Sequence, residues 1–225
     1  MTFESQIEAV TGIAAGATGA PATNELTQFL TDGAKEVIQR IAKISPEKLL
    51  LFTIELDVSD GNGTTTENGL IVNALRADGV TATSLYPCQR ISSELRFKAT
   101  DLSSLEYRSV YNPVFYILNH KAYILPAPSD SGINKGVINY ITYPSVAYNA
   151  DAITNFPAEF EPLVVQYAII KSFQALMGYY ATTEEDAELV QTVQASLVTA
   201  EQLYDKTFNI MYPQQQQQRQ PEREE

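Results

Sequence analysis

The sequence predicts an α+β fold: a discontinuous helical body, made by helices from both ends of the chain, with an antiparallel β-sheet module inserted between them. Three observations predict it. Apolar residues recur at steps of three and four over residues 24–44 and again from about residue 156, which is helical spacing. Between 49 and 148 the pattern changes to short β-branched and aromatic runs broken by Gly, Asn, Asp and Pro, the grammar of strands and turns. The helical period then returns, so the two ends are of one kind and the middle of another. The divisions are 1–48 for the N-terminal helices, 49–148 for the β-rich insertion, 149–212 for a C-terminal helical hairpin that completes the body, and 213–225 for a polar arm.

Residues 2–11 fit a short helix with Phe3, Ile7 and Val10 on one side. The small, glycine-punctuated stretch 12–23 reads as a flexible connection. No Gly-Lys-Ser/Thr follows it, so it is not a phosphate-binding loop. Thr23 or Asn24 is placed to cap the helix of residues 24–44, whose stripe is Leu26, Phe29, Leu30, Val37, Ile38, Ile41 and Ile44. Gly33 is a weak point inside it, tolerated where another helix must come close, and Ser45-Pro46 ends it.

In the insertion, 49–58 is β-rich and leads into the Ser59–Gly63 loop. Residues 70–76 and 80–86 flank Asp78-Gly79, a hairpin signal, and 90–108 suggests short helical turns. Residues 114–118 and 122–125 flank Asn119-His120, two types that accept positive φ, and 136–143 is a further strand. Pro157 suits the first turn of the next helix, which is apolar on nearly every side: Leu163, Val165, Tyr167, Ile169 and Ile170 all follow within it. Such a helix needs cover from several directions, so these five residues are expected to face neighbouring copies of the chain. Thr182 and Glu185 offer a capping box for a last helix with one apolar face. Residues 213–225 hold no apolar residue except proline and read as a solvated tail, or an arm that orders on a partner.

A formal charge of −12, from 27 acidic and 15 basic residues, argues against tight binding to a nucleic-acid backbone, although DNA is free to pass without sticking. Cys88 is the only cysteine, so no intrachain disulfide forms and a reducing compartment is the default. No run approaches a membrane span, and no basic-then-apolar leader opens the chain, so a soluble protein with no membrane partner is expected.

Chemistry finds few footholds. His120 is the only histidine and sits at an expected hairpin tip, where a turn role outweighs a catalytic one. One histidine and one cysteine do not make a usual zinc site. Asp57–Gly63 looks superficially like a calcium loop, but counted from Asp57 the glycine falls at position five and Asn68 stands where a bidentate glutamate is required. Glu159, Glu161, Glu184, Glu185 and Asp186 lie at expected helix starts, where they complement the helix dipole. The reading therefore includes no enzyme, cofactor or metal. Tyr140, Tyr143 and Tyr148 leave open a β-rich module that binds glycan or protein on a virion or cell surface. Tyr204, Phe208 and Tyr212, four apart, form either a docking ridge or local core packing.

Three segments together resemble the head-to-tail adaptor (connector, or neck) proteins of tailed bacteriophages. They are Leu26–Ile38 (LTQFLTDGAKEVI), Asn112–Ile117 (NPVFYI) with Ala122–Pro128 (AYILPAP), and Phe156–Ala168 (FPAEFEPLVVQYA) ahead of a charged last helix. The resemblance implies a cyclic homo-oligomer, commonly a dodecamer, beneath the portal in the virion neck, made in the host cytoplasm. Its partners would be the portal protein, tail or neck proteins, and genomic DNA crossing the central channel without specific binding. It also implies a C-terminal arm that reaches the portal, here Tyr204, Phe208, Met211, Tyr212, Gln214 and Gln216. The long β insertion and the stretch 12–23 depart from compact family members, and leave open which surface meets the tail.

Overall fold

The computed structural model describes residues 1–65, 69–81, 83–184 and 187–211, and shows the α+β class with helices at both ends and sheets between. It divides into two compact units: Met1–Arg40 with Ser145–Ile153 and Ala158–Glu225, and Ile41–Pro144 with Thr154–Pro157.

The first unit is helical. Helix α1 (Phe3–Thr11) starts at Thr2, whose Oγ1 accepts from Ser5 N at 3.3 Å, and stops at Gly12 in the left-handed region, φ 73°. Phe3 and Ile7 are buried, but Val10 is exposed, so only two of the three expected residues form the inner face. Residues 12–22 are built of hydrogen-bonded turns: Gly16 N donates to Pro21 O, and Ala15 N to Glu8 Oε1 at 2.8 Å. At Gly19 (φ 79°) a Cβ would lie 2.5 Å from Tyr179 Cδ1, so this position has no room for a side chain.

Helix α2 (Thr23–Ile44) buries Leu26, Leu30, Val37, Ile38 and Ile41 of its predicted stripe, together with Ala34, whereas Phe29 is half-buried and Ile44 is exposed at the helix end. At its start the Glu25 carboxylate reaches back to accept from Ala22 N at 2.7 Å. After a 3₁₀ turn (Ala158–Phe160) comes helix α4 (Glu161–Tyr179), with Pro162 in its first turn. The expected close approach at Gly33 is present: a Cβ there would meet Tyr167 Cδ1 at 3.0 Å and Val164 O at 3.2 Å. The chain continues through a π-helical turn (Tyr180–Glu184) to helix α5 (Ala187–Met211), which returns along α4. The Thr182 hydroxyl donates backward to Gly178 O at 2.8 Å, and Glu185, its partner in the expected capping box, lies outside the described residues. The segment Ser145–Ile153 laces the helices together. Val146 N donates to Thr31 Oγ1, Tyr148 N to Thr27 Oγ1, Phe3 N to Ala150 O, and Ile153 N to Glu161 Oε1.

The second unit holds two four-stranded sheets. The first orders β1 (Ile54–Val58), β8 (Gly136–Ile141), β3 (Leu70–Ala77) and β4 (Leu85–Pro87) as β1-β8-β3-β4, all antiparallel. The second orders β2 (Thr64–Thr65), β7 (Lys121–Leu125), β6 (Val114–Leu118) and β5 (Gln89–Arg90) as β2-β7-β6-β5. The antiparallel expectation holds except at β5–β6, a short parallel pair. Val58, Ala74 and Ile138 of one sheet share a core with Phe115, Ala122 and Ile124 of the other, so the sheets pack face to face. Asn119 (φ 50°) and His120 (φ 59°) make the tight turn between β6 and β7, as expected. Asp78-Gly79 does not make a two-residue hairpin. Ala77 pairs with Leu85 across a longer loop, in which Asp78 Oδ1 accepts from Val80 N and Thr81 N. The expected short helical turns appear as a 3₁₀ turn (Ser93–Leu95) and helix α3 (Arg96–Thr100).

Arg76, on β3, is buried to 1% exposure and anchors the far end of the first sheet. Its guanidinium donates to Pro126 O (2.9 Å), Ala77 O (2.8 Å), Lys135 O (3.2 Å), Ala127 O (3.2 Å) and Asn134 Oδ1. A planar fork with five N–H donors can tie that many loop acceptors to one point, which an ammonium cannot.

Candidate assembly surface

The five α4 residues expected to face other copies are covered largely by the chain itself. Leu163, Val165, Ile169 and Ile170 are each at most 8% exposed, and Tyr167 is half-buried over Gly33 with the Lys171 ammonium 5.5 Å from its ring centre. The expectation that neighbours must shield this helix from several directions is therefore corrected, and a single groove over it stays open. Helices α1, α2 and α5 supply the cover, because the chain places α4 at the centre of the helical unit.

Tyr204 and Phe208 likewise resolve to core packing and not to an outward ridge, at 6% and 1% exposure. The Tyr204 hydroxyl donates to the Glu36 carboxylate, and burial together with that bond pushes its pKa well above the usual phenol range. The Arg40 guanidinium lies 4.2 Å from the Phe208 ring centre and 5.4 Å from that of Tyr204, and donates to Asp205 Oδ1 at 2.8 Å. Met211 is half-buried at the end of α5, while Tyr212, Gln214 and Gln216 lie outside the described residues.

What remains open is a groove. A concavity of about 580 Å³ runs over α4 between α1 and α5. Val165, Ile169 and Phe173 form its floor, and Val10 and Gln6 its α1 wall. Its α5 wall is Ala195, Ser196, Thr199, Ala200 and Leu203, small residues at helical spacing that keep the trough open. Among the described residues no charged side chain lines it. One polar atom on the floor is unsatisfied: Gln166 Oε1 is buried and has no hydrogen-bond partner among the described residues. Its amide orientation follows from the network. Thr207 spends its hydroxyl hydrogen on Leu203 O (2.8 Å), so Gln166 Nε2 must be the donor to Thr207 Oγ1 at 3.4 Å.

The other candidates settle into structural roles. His120 is exposed at the β6–β7 turn. Asp57 pairs with Lys135 at 3.0 Å, and the Asp60 carboxylate accepts from Asn62 N and Nδ2, two bonds that hold its pKa low. Glu161 is occupied by Ile153 N, Glu159 is exposed, and Glu185 and Asp186 lie outside the described residues. Among the described residues, no group of three or more His, Cys, Asp or Glu side chains gathers to hold a metal ion, and no helix is long and apolar enough to cross a membrane. Tyr140 packs partly against the sheet core, whereas Tyr148 belongs to the helical unit. A second, more polar concavity of about 340 Å³ lies in the sheet unit, lined in part by Arg90, Glu106 and Arg108.

Sequence reasoning missed the groove and the role of Arg40. The small-residue face of α5 was the available signal for the first. The second had none, since Arg40 sits off the α2 stripe like any solvated cation. No protein-family model matches the chain, and no curated protein sequence matches it.

Proposed function

We propose that this chain is a structural subunit of a tailed-bacteriophage virion: a head-to-tail adaptor that assembles as a homo-oligomeric ring between portal and tail and lines the channel for DNA. The observation that carries the reading is the uncharged apolar groove over α4, a concave surface suited to another protein. The resemblance carried by Leu26–Ile38, Asn112–Pro128 and Phe156–Ala168 says which protein assembly to expect. The net charge of −12 supports it from another side, because an acidic channel wall repels phosphates and lets a genome slide.

The test is particle mass with and without a purified portal ring, together with negative-stain images. A ring that docks on the portal is expected, and deletion of residues 212–225 should weaken docking while leaving the circular dichroism spectrum unchanged. A chain that stays monomeric and ignores the portal ends this reading. The polar concavity beside Arg90, Glu106 and Arg108 favours the second reading, a β-rich module that binds glycan or protein. Glycan-array binding by a monomer, lost in Arg108→Ala, would support that alternative.

A further inference from the structure

We infer that the groove is filled by the Leu102–Leu105 turn of a second copy of this chain, giving a head-to-tail contact. The inference rests on the ring reading and names its interface. Among the described residues, Leu102 (81%) and Leu105 (107%) are the most exposed of the large hydrophobic side chains. They stand three residues apart on one turn, and such paired exposure on a soluble surface marks an interaction site.

The turn is built in advance. Asp101 Oδ1 accepts from Ser103 N (2.9 Å) and Ser103 Oγ (2.6 Å), and Ser104 N donates to Asp101 O. Glu106 N donates to Ser104 Oγ, Tyr107 N to Ser104 O, and Arg108 N to Ala99 O. A protrusion held this way loses little conformational freedom on docking.

The two surfaces match in chemistry. Copies carrying −12 each repel one another, and a contact whose receiving surface lacks carboxylates avoids adding to that repulsion. Residues 102–105 are Leu-Ser-Ser-Leu between Asp101 and Glu106, and no charged side chain among the described residues lines the groove to repel those carboxylates. The groove offers Val165, Ile169, Phe173 and Leu203 to the leucines. Knob and hole lie on different parts of one chain, so the contact is heterologous. It propagates from copy to copy, and becomes a ring if the rotation closes.

Disulfide trapping in the full-length chain tests it, with Cys88→Ala removing the native thiol. Under oxidation, a mixture of Leu105→Cys chains and Ser196→Cys chains should give at least about tenfold more cross-linked dimer than either variant alone. A chain with both substitutions should give a covalent ladder. Leu105→Asp, at a site with no packing to lose, should raise the concentration for half-assembly by about tenfold or more. Oligomers that form without this cross-link, single variants that cross-link to themselves equally well, or an unaffected Leu105→Asp variant would each overturn the contact and leave the ring reading standing. A ladder that never closes supports the contact and defeats the ring. A monomer at every concentration defeats both.

Discussion

Replacing Phe208 by alanine asks whether the end of α5 is an anchor or a free docking element. The ring is 1% exposed, with the Arg40 guanidinium 4.2 Å from its centre and the Tyr204 ring centre 6.5 Å away. Truncating a buried phenylalanine costs about 3–5 kcal/mol, and that figure includes the lost attraction to the cation, about 0.5–2 kcal/mol. A domain's whole stability is about 5–15 kcal/mol, so the variant forfeits a large share of it. At about 4–8 °C per kcal/mol for a unit of roughly 100 residues, the helical transition should fall by at least about 12 °C. Urea and thermal unfolding followed by far-ultraviolet circular dichroism give the value. The two units can unfold separately, so the transition that moves must be the helical one. The exposed neighbour Asn209, changed to alanine, should shift stability by no more than about 0.5 kcal/mol. A loss below about 1 kcal/mol in Phe208→Ala would refute the anchor and return the residue to an outward-facing role.

Two further outcomes follow from the sheet unit. Arg76→Met removes the donor for five acceptors around a 1%-exposed site, and each acceptor left without a partner costs about 1–3 kcal/mol. A loss of at least about 3 kcal/mol is expected in urea, with Arg76→Lys intermediate, and equal values for the two variants would show that the forked geometry is irrelevant. Burial pushes the Cys88 thiol from 9.0 to about 12, so the folded state favours the protonated form. That contribution is complete below about pH 9 and is lost as pH rises toward 12, reaching about 1.4 kcal/mol by pH 10. Urea midpoints at pH 7 and pH 10 should therefore diverge more in the native chain than in Cys88→Ala, and parallel slopes would contradict the burial.

The helices were legible because their signal is periodic and local. The α2 stripe from Leu26 to Ile41 is buried as its spacing implies, and the close approach at Gly33 was readable from a lone glycine among good helix formers. Asn119-His120 announced its turn through residue type alone. The α4 helix misled for a physical reason. Hydropathy says how much cover a helix needs but not who provides it, and here two flanking helices, a third behind and the Ser145–Ile153 segment suffice. Aromatic spacing at Tyr204 and Phe208 was likewise silent on direction, since a ridge for docking and a ridge for packing share one periodicity. The Asp78-Gly79 pair failed because its carboxylate binds two amides of its own loop and enlarges the turn. The groove depends on three separate stretches of chain, so no single window of sequence contained it.

Helix α5 is held unevenly along its 25 residues. Its buried side chains are Leu197, Tyr204 and Phe208, so the first ten positions contribute none, and the fastening gathers toward the end that adjoins residue 212. A tug on the following segment would meet that clamp within one helical turn. Through Phe208 and Tyr204 the load would pass to Arg40 and Glu36, on a helix formed near the other end of the sequence. The unit is thus braced most deeply where an attached cable would pull.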